Sequence, residues 1–295
     1  MAAGMTLSIE NLPQISAIYY ALLQCGYSYY PYERSESHIA AISRFAGGES
    51  VPLFFSSVKQ ATCSVYPYWP RAAILETATF FLDGKAEKYR DYEVFQSRIL
   101  SASNISPEEK DVSLWDWIVD FPAALASVMC SDGFQRYMDW ENNWIAAQNS
   151  KCAEDLHSLE DMLRYCPQAG NAKIILSPIK CVYSSDYYAD KSGVVFILGA
   201  LRKESIVHEC LHPVVHALLE QAEYPIGKFE YPGIDESYYQ GKSDAGYLNA
   251  FEEYAVRRLT EDLLLRSYPR DIVGYLRELA KGNMLEKLVD AESSH

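Results

Sequence analysis

The chain has 295 residues, with 26 Lys+Arg against 40 Asp+Glu and a formal charge of −14. An apolar share of 49%, with 23 tyrosines, excludes intrinsic disorder, because so much apolar surface offsets the entropy of ordering. With 15 Gly and 13 Pro the chain is neither collagen-like nor low-complexity, and its acidic balance argues against nucleic acid as a partner.

In chain order, residues 10–24 place Ile15, Ile18, Tyr19 and Leu22 at helical spacing, with Gly26 suited to the C-terminal cap. Residues 37–46 predict a second, short helix, and 71–82 and 86–102 predict two more around an Asp83-Gly84 turn. Ser106 with Glu109 three residues on is a helix start. Residues 113–130 and 132–148 then read as an aromatic-rich helix pair.

The pattern changes after residue 170. Residues 172–182 and 193–199 are short runs rich in Ile and Val, bounded by turn residues such as Ser185-Asp186 and Asp190. They predict two strands, antiparallel neighbours. A long helix is expected over Lys203–Ala222, an irregular stretch from Tyr224 to Gly246, and helices over 247–265 and 270–289. The layout is α+β: mostly helical, with a small antiparallel sheet ahead of the helix at 203–222. We expect a single domain over 1–295, with a helical half (1–168) and a strand-plus-helix half (169–295).

The first residues, MAAGMTLSIENLPQ, lack the basic and apolar regions of a signal peptide. No apolar run approaches the roughly 20 residues that span a bilayer. The expectation is a cytoplasmic protein with no membrane partner; oligomeric state leaves no mark. Seven cysteines sit at 25, 63, 130, 152, 166, 181 and 210, without a CxxC pair, and are expected to be free thiols.

One motif carries chemistry. Residues 208–212 read His-Glu-Cys-Leu-His. Positions i and i+4 share a helical face, so His208 and His212 can point at one metal ion, and Glu209 can serve as general base toward a water. Zinc in a catalytic site takes three protein ligands, so a third must come from elsewhere. His216 lies two turns from His208, too far for an unstrained third ligand, and suits a pocket or buried role. Pro213 removes a backbone donor within the helix.

The better third ligand is a glutamate of the next helix, where Glu252 and Glu253 are adjacent. With Leu248, Leu259 and Leu263, Glu252 falls on the edge of an apolar face. Glu253 aligns with Val256, Arg257 and Thr260, a mixed polar stripe. Asp235 and Asp244 in the intervening stretch are further candidates.

Two segments, His208-Glu-Cys-Leu-His-Pro-Val-Val215 and Glu253-Tyr-Ala-Val256-Arg257, resemble a bacterial family of unknown function regarded as zinc metallopeptidases. The stretch ISAIYYALLQCGYSYYPY resembles that family's opening helix. The family is similar to the gluzincins, in which H-E-x-x-H is completed by a downstream Glu. The resemblance implies a zincin-like fold, bound zinc, hydrolysis of a peptide or protein substrate, and Glu253 as third ligand, with Glu252 the alternative. The chain departs from the family's pattern at Glu252 and His216, where Asn is usual. An oxyanion donor is expected among Tyr224, Tyr231, Tyr238, Tyr239, Tyr247 and His216. Arg257 could hold a substrate carboxylate or brace the liganding Glu. The competing expectation is a zinc-binding protein without proteolysis.

Overall fold

The computed structural model describes residues 7–26, 34–56, 72, 75–76, 78–79, 120–166, 172–182, 185–190, 193–221, 226, 228, 230–265 and 269–281. The helices expected over 86–102 and after Ser106 lie outside these residues, as does Tyr224. The chain divides into two compact units: Met1–His157 with Asn171–Leu201, and Ser158–Gly170 with Arg202–His295.

The first unit holds β1 (Ile9–Glu10), α1 (Pro13–Gln24), α2 (Glu36–Ser43), α3 (Phe121–Met129) and α4 (Asp132–Lys151). Its strands β2 (Lys173–Leu176), β3 (Ser185–Asp190) and β4 (Gly193–Leu198) follow. Proline opens α1 and α3, where its missing N–H costs nothing. Serines open α2 and α4: Ser35 accepts from the His38 amide and Ser131 from the Phe134 amide. Of the helix expected over 71–82, residues 75–76 and 78–79 are helical. Helix α5 (Ala153–Leu163), which begins in this unit, was not foreseen, because its polar residues hide a short buried stripe of Leu156, Leu159 and Leu163.

The sheet order is β1-β2-β4-β3. Strands β1, β2 and β4 run parallel, pairing Ile9 with Ile174 and Ile175 with Ile197. Only β3 is antiparallel, pairing Asp186 with Ile197 and Tyr188 with Val195. The expected antiparallel sheet is therefore corrected to a mixed one. The two apolar runs are neighbours, but parallel, and the antiparallel partner of β4 is a segment that reads as turn-forming. Asp186 is the cause of the misreading. It is buried, not a turn residue, because Lys180 Nζ meets it at 2.6 Å. Lys180 also donates to Glu76 at 2.7 Å and to Tyr19 at 3.0 Å, while the Tyr188 hydroxyl donates to Glu76 at 3.1 Å. Burial disfavours a charged Lys180, but the two carboxylates outweigh it and raise its pKa.

A second polar knot ties α1 to α4. Glu141, fully buried, accepts from Ser16, Tyr137 and Asn11. Ile15, Ile18, Tyr20, Phe121, Phe134 and Tyr137 belong to the hydrophobic core of this unit. Asn149 exchanges two hydrogen bonds with the backbone of Ile9, fixing the edge strand on α4.

The second unit is built on α6 (Lys203–Gln221) and α7 (Asp244–Leu264), which pack together. Between them lies a 3-10 helix, Glu236–Lys242, capped by Asp235 through the Ser237 amide. Helix α6 runs through Pro213. Ser243 caps α7 by accepting from the Gly246 amide. Lys242 takes φ of 62°, the left-handed turn that reverses the chain into α7. Residues 272–281 form a further helix. The six described cysteines are free. Among the described residues no helix is long and apolar enough to cross a membrane.

Candidate metal centre

Helix α6 buries Ile206, Val207, Cys210, Leu211, Val215 and Leu219. That stripe leaves His208 and His212, one turn apart, half-buried on the flank facing α7. Helix α7 in turn buries Ala250, Phe251, Ala255, Val256, Leu259 and Leu263, and with them Glu253 at 3% exposure. Leu248, which would have marked the apolar face, is exposed. Glu253, Val256 and Thr260 are buried alongside Leu259 and Leu263.

Three ligand atoms converge here. Nε2 of His208 and Nε2 of His212 are 3.2 Å apart, and Oε2 of Glu253 lies 3.5 and 3.3 Å from them. Among the described residues, this is a His/His/Glu group that could hold a metal ion. The imidazoles meet edge to face, their planes at 80°.

Two of the three ligands, His212 and Glu253, are held from behind. Nδ1 of His212 lies 3.0 Å from Oε1 of Glu252, whose other oxygen is 2.8 Å from Nδ1 of His216. Glu252 thus stands outside the triad and clamps two rings. Arg257 Nε donates to Oε1 of Glu253 at 2.7 Å, leaving Oε2 for the centre, and its NH1 donates to the Gly233 carbonyl. His216 is exposed and takes no part in the triad. Asp235 and Asp244 do not join it either: Asp235 caps the 3-10 helix, and Asp244 pairs with Lys228 at 2.7 Å.

The electrostatics match a site for a cation. Burial alone would discharge His212, but hydrogen bonds to Glu252 and Glu253 raise its pKa to about 10. Burial would likewise raise the Glu253 carboxyl, yet the two histidines and Arg257 hold it well below the usual carboxylate range. Glu252 is depressed in the same way by His212 and His216. Carboxylates that hold a proton on His212 can hold a cation in its place.

Glu209 is half-buried, and its charge acts on both His212 and Tyr238. Tyr238 itself is half-buried; its pKa is raised by burial and by the carboxylates of Glu253 and Glu209, against the opposing charge of Arg257. Among the described tyrosines proposed for this role, Tyr238 is the one whose environment is set by Glu253 and Glu209. Tyr239 is buried and its hydroxyl accepts from the Tyr231 amide, so it anchors the loop and does not line a pocket. Tyr231 stacks on Tyr254, and Tyr247 meets the Tyr239 ring edge-on. Cys210 is buried, and burial pushes its thiol up, which suits core rather than ligand. Sequence reasoning missed the clamp of Glu252 on both His212 and His216; its only trace is Glu-Glu on one helix answering His at 212 and 216 on the other.

Compared with known proteins, the chain matches no family model, no curated protein and no solved structure.

Proposed function

We propose that this protein is a zinc-dependent hydrolase of peptide bonds, zincin-like in its second unit, with His208, His212 and Glu253 as ligands. One observation carries the reading. A tetrahedral zinc ion with bonds of about 2.0–2.1 Å needs ligand atoms about 3.3–3.4 Å apart. The three atoms stand 3.2, 3.3 and 3.5 Å apart, with no rearrangement. Two neutral imidazoles and one carboxylate would also form a donor set suited to zinc. The outer carboxylate of Glu252 on Nδ1 of His212 is the partner that a metal-ligating histidine needs to present Nε2.

Zinc bound there supplies Lewis acidity toward water and toward a carbonyl oxygen. The remaining work falls to the chain. Glu209 takes the proton of the attacking water and passes it to the leaving amine. Tyr238 offers its hydroxyl to the developing oxyanion, and its raised pKa keeps that proton on. Arg257 fixes the orientation of Glu253, and Glu252 that of His212. The family resemblance of the two helix motifs supports the same assignment.

Glu209→Gln tests it. Measured on a quenched-fluorescence peptide library, wild type should cleave, and the variant should keep its zinc while losing at least about a hundredfold in rate. Equal rates in the two proteins would remove Glu209 from the role. Zinc bound without cleavage of any peptide would favour a non-proteolytic zinc-binding protein.

A further inference from the structure

The first unit carries a second concave feature, independent of the metal centre: a cleft of about 660 Å³. That is the size of a site for one small molecule or a few sugar rings. Its floor lies past the carboxyl ends of the parallel strands β2 and β4, at Leu176 and Gly199. Its wall is one face of α4, where Trp140, Trp144 and Gln148 follow at four-residue intervals and Lys151 comes three later.

The floor is rigid. Arg34 NH2 donates to the carbonyl of Lys180 at 2.6 Å and of Gly199 at 3.0 Å, clamping two loops together. Only glycine fits at 199, since a Cβ there would fall 2.1 Å from the Cys181 carbonyl oxygen. His38 Nε2 lies 3.0 Å from the Pro178 carbonyl oxygen and 3.1 Å from Arg34 Nη1, and burial lowers its pKa. The His38 ring faces Trp144 at 5.6 Å and Trp140 at 6.3 Å.

The two tryptophans differ. Trp140 rests on the core against Phe45 and Tyr137. Among the described rings Trp144 meets only His38, and both indoles are half-buried. An aromatic wall held open in this way, without being packed shut, suits a ligand with an apolar face.

The polar groups narrow the class. Arg34 and Lys151 against Asp155 repel an organic cation. The Arg34 guanidinium already serves two carbonyls, which removes the bidentate fork that a phosphate takes. What remains at the rim is Ser37, Gln148, Lys151 and Asp155, groups that bond hydroxyls from both sides. A pyranose ring has the matching form: an apolar C–H face for the indole and hydroxyls around its edge. We propose that this cleft is a carbohydrate-binding site, with Trp144 as the stacking platform and Gln148 as a hydroxyl partner.

Maltotriose, cellotriose and chitotriose, titrated into the full chain by calorimetry and tryptophan fluorescence, test it, with AMP as the rival aromatic-stacking probe. At least one trisaccharide should bind at or below about 1 mM, and Trp144→Ala should weaken it at least about tenfold. Gln148→Ala, at a half-buried position, should weaken it with an unchanged unfolding midpoint, so that a loss there is not one of folding. The proposal is overturned if none of the three sugars binds, if binding survives Trp144→Ala and Gln148→Ala unchanged, or if AMP binds and the sugars do not.

Discussion

Oε1 of Glu252 lies 3.0 Å from Nδ1 of His212, on the side of the ring away from the Nε2 that faces Glu253. Adjacent carboxylates on α7 thus take opposite faces of one imidazole. Glu253 belongs to the triad, and Glu252 sets the ring that completes it. This division of labour predicts different losses from two neighbouring substitutions. Glu252→Gln should keep the site but weaken zinc about 10–100-fold, measured by competition with a chromophoric chelator. An affinity equal to wild type would show that the outer carboxylate is idle.

Arg257 holds Glu253 through Nε and the loop at Gly233 through NH1. One planar fork serves both, and lysine cannot. Arg257→Lys should therefore behave like Arg257→Ala, each weakening zinc about tenfold while the helix content by circular dichroism stays constant. Full rescue by lysine would reduce the role of Arg257 to its charge.

The helix pair and the two histidines are legible in the sequence because their signals are local. His208 and His212 are one turn apart on any helix, and the helix that carries them needs no distant partner to be read. The choice between Glu252 and Glu253 is not local. Leu248 suggests one buried face, yet it is exposed, and Glu253, Val256 and Thr260 are buried along with Leu259 and Leu263. Glu253 can be buried there because His208, His212 and Arg257 meet it, and Thr260 because its hydroxyl donates to the Val256 carbonyl. The sheet shows the same limit. Ser185-Asp186 has the composition of a turn, yet Lys180 meets the buried Asp186, and Glu76, from far along the chain, meets Lys180 and Tyr188 of the same antiparallel strand.

That buried cluster sets a stability prediction. Lys180 is fully buried between Glu76 and Asp186. Lys180→Met leaves two carboxylates without their counter-ion and should cost about 3–5 kcal/mol in urea unfolding of the first unit. Adding Glu76→Gln and Asp186→Asn to it should recover most of the loss. A single variant as stable as wild type would contradict the arrangement.

Glu141 makes stability depend on pH. Its burial raises its pKa to about 7, against the hydrogen bonds from Ser16, Tyr137 and Asn11 that lower it. The folded chain therefore holds a proton that the unfolded chain has released above the ordinary glutamate range. Stability falls as pH rises from about 4.5 to about 7 and then levels, a change on the order of 3 kcal/mol. Glu141→Gln should flatten this part of the profile, as followed by urea midpoints across that window. An identical profile in the variant would place the pH dependence elsewhere.

The central claim is that a zinc ion is held by His208, His212 and Glu253. Elemental analysis of the full chain, purified without added metal, tests it most directly. Wild type and Glu252→Ala should be compared with Glu253→Ala after dialysis against a weak chelator. About one zinc per chain is expected in wild type, partial occupancy in Glu252→Ala and almost none in Glu253→Ala. Zinc retained in Glu253→Ala but lost from Glu252→Ala would contradict it, as would wild-type protein that carries none.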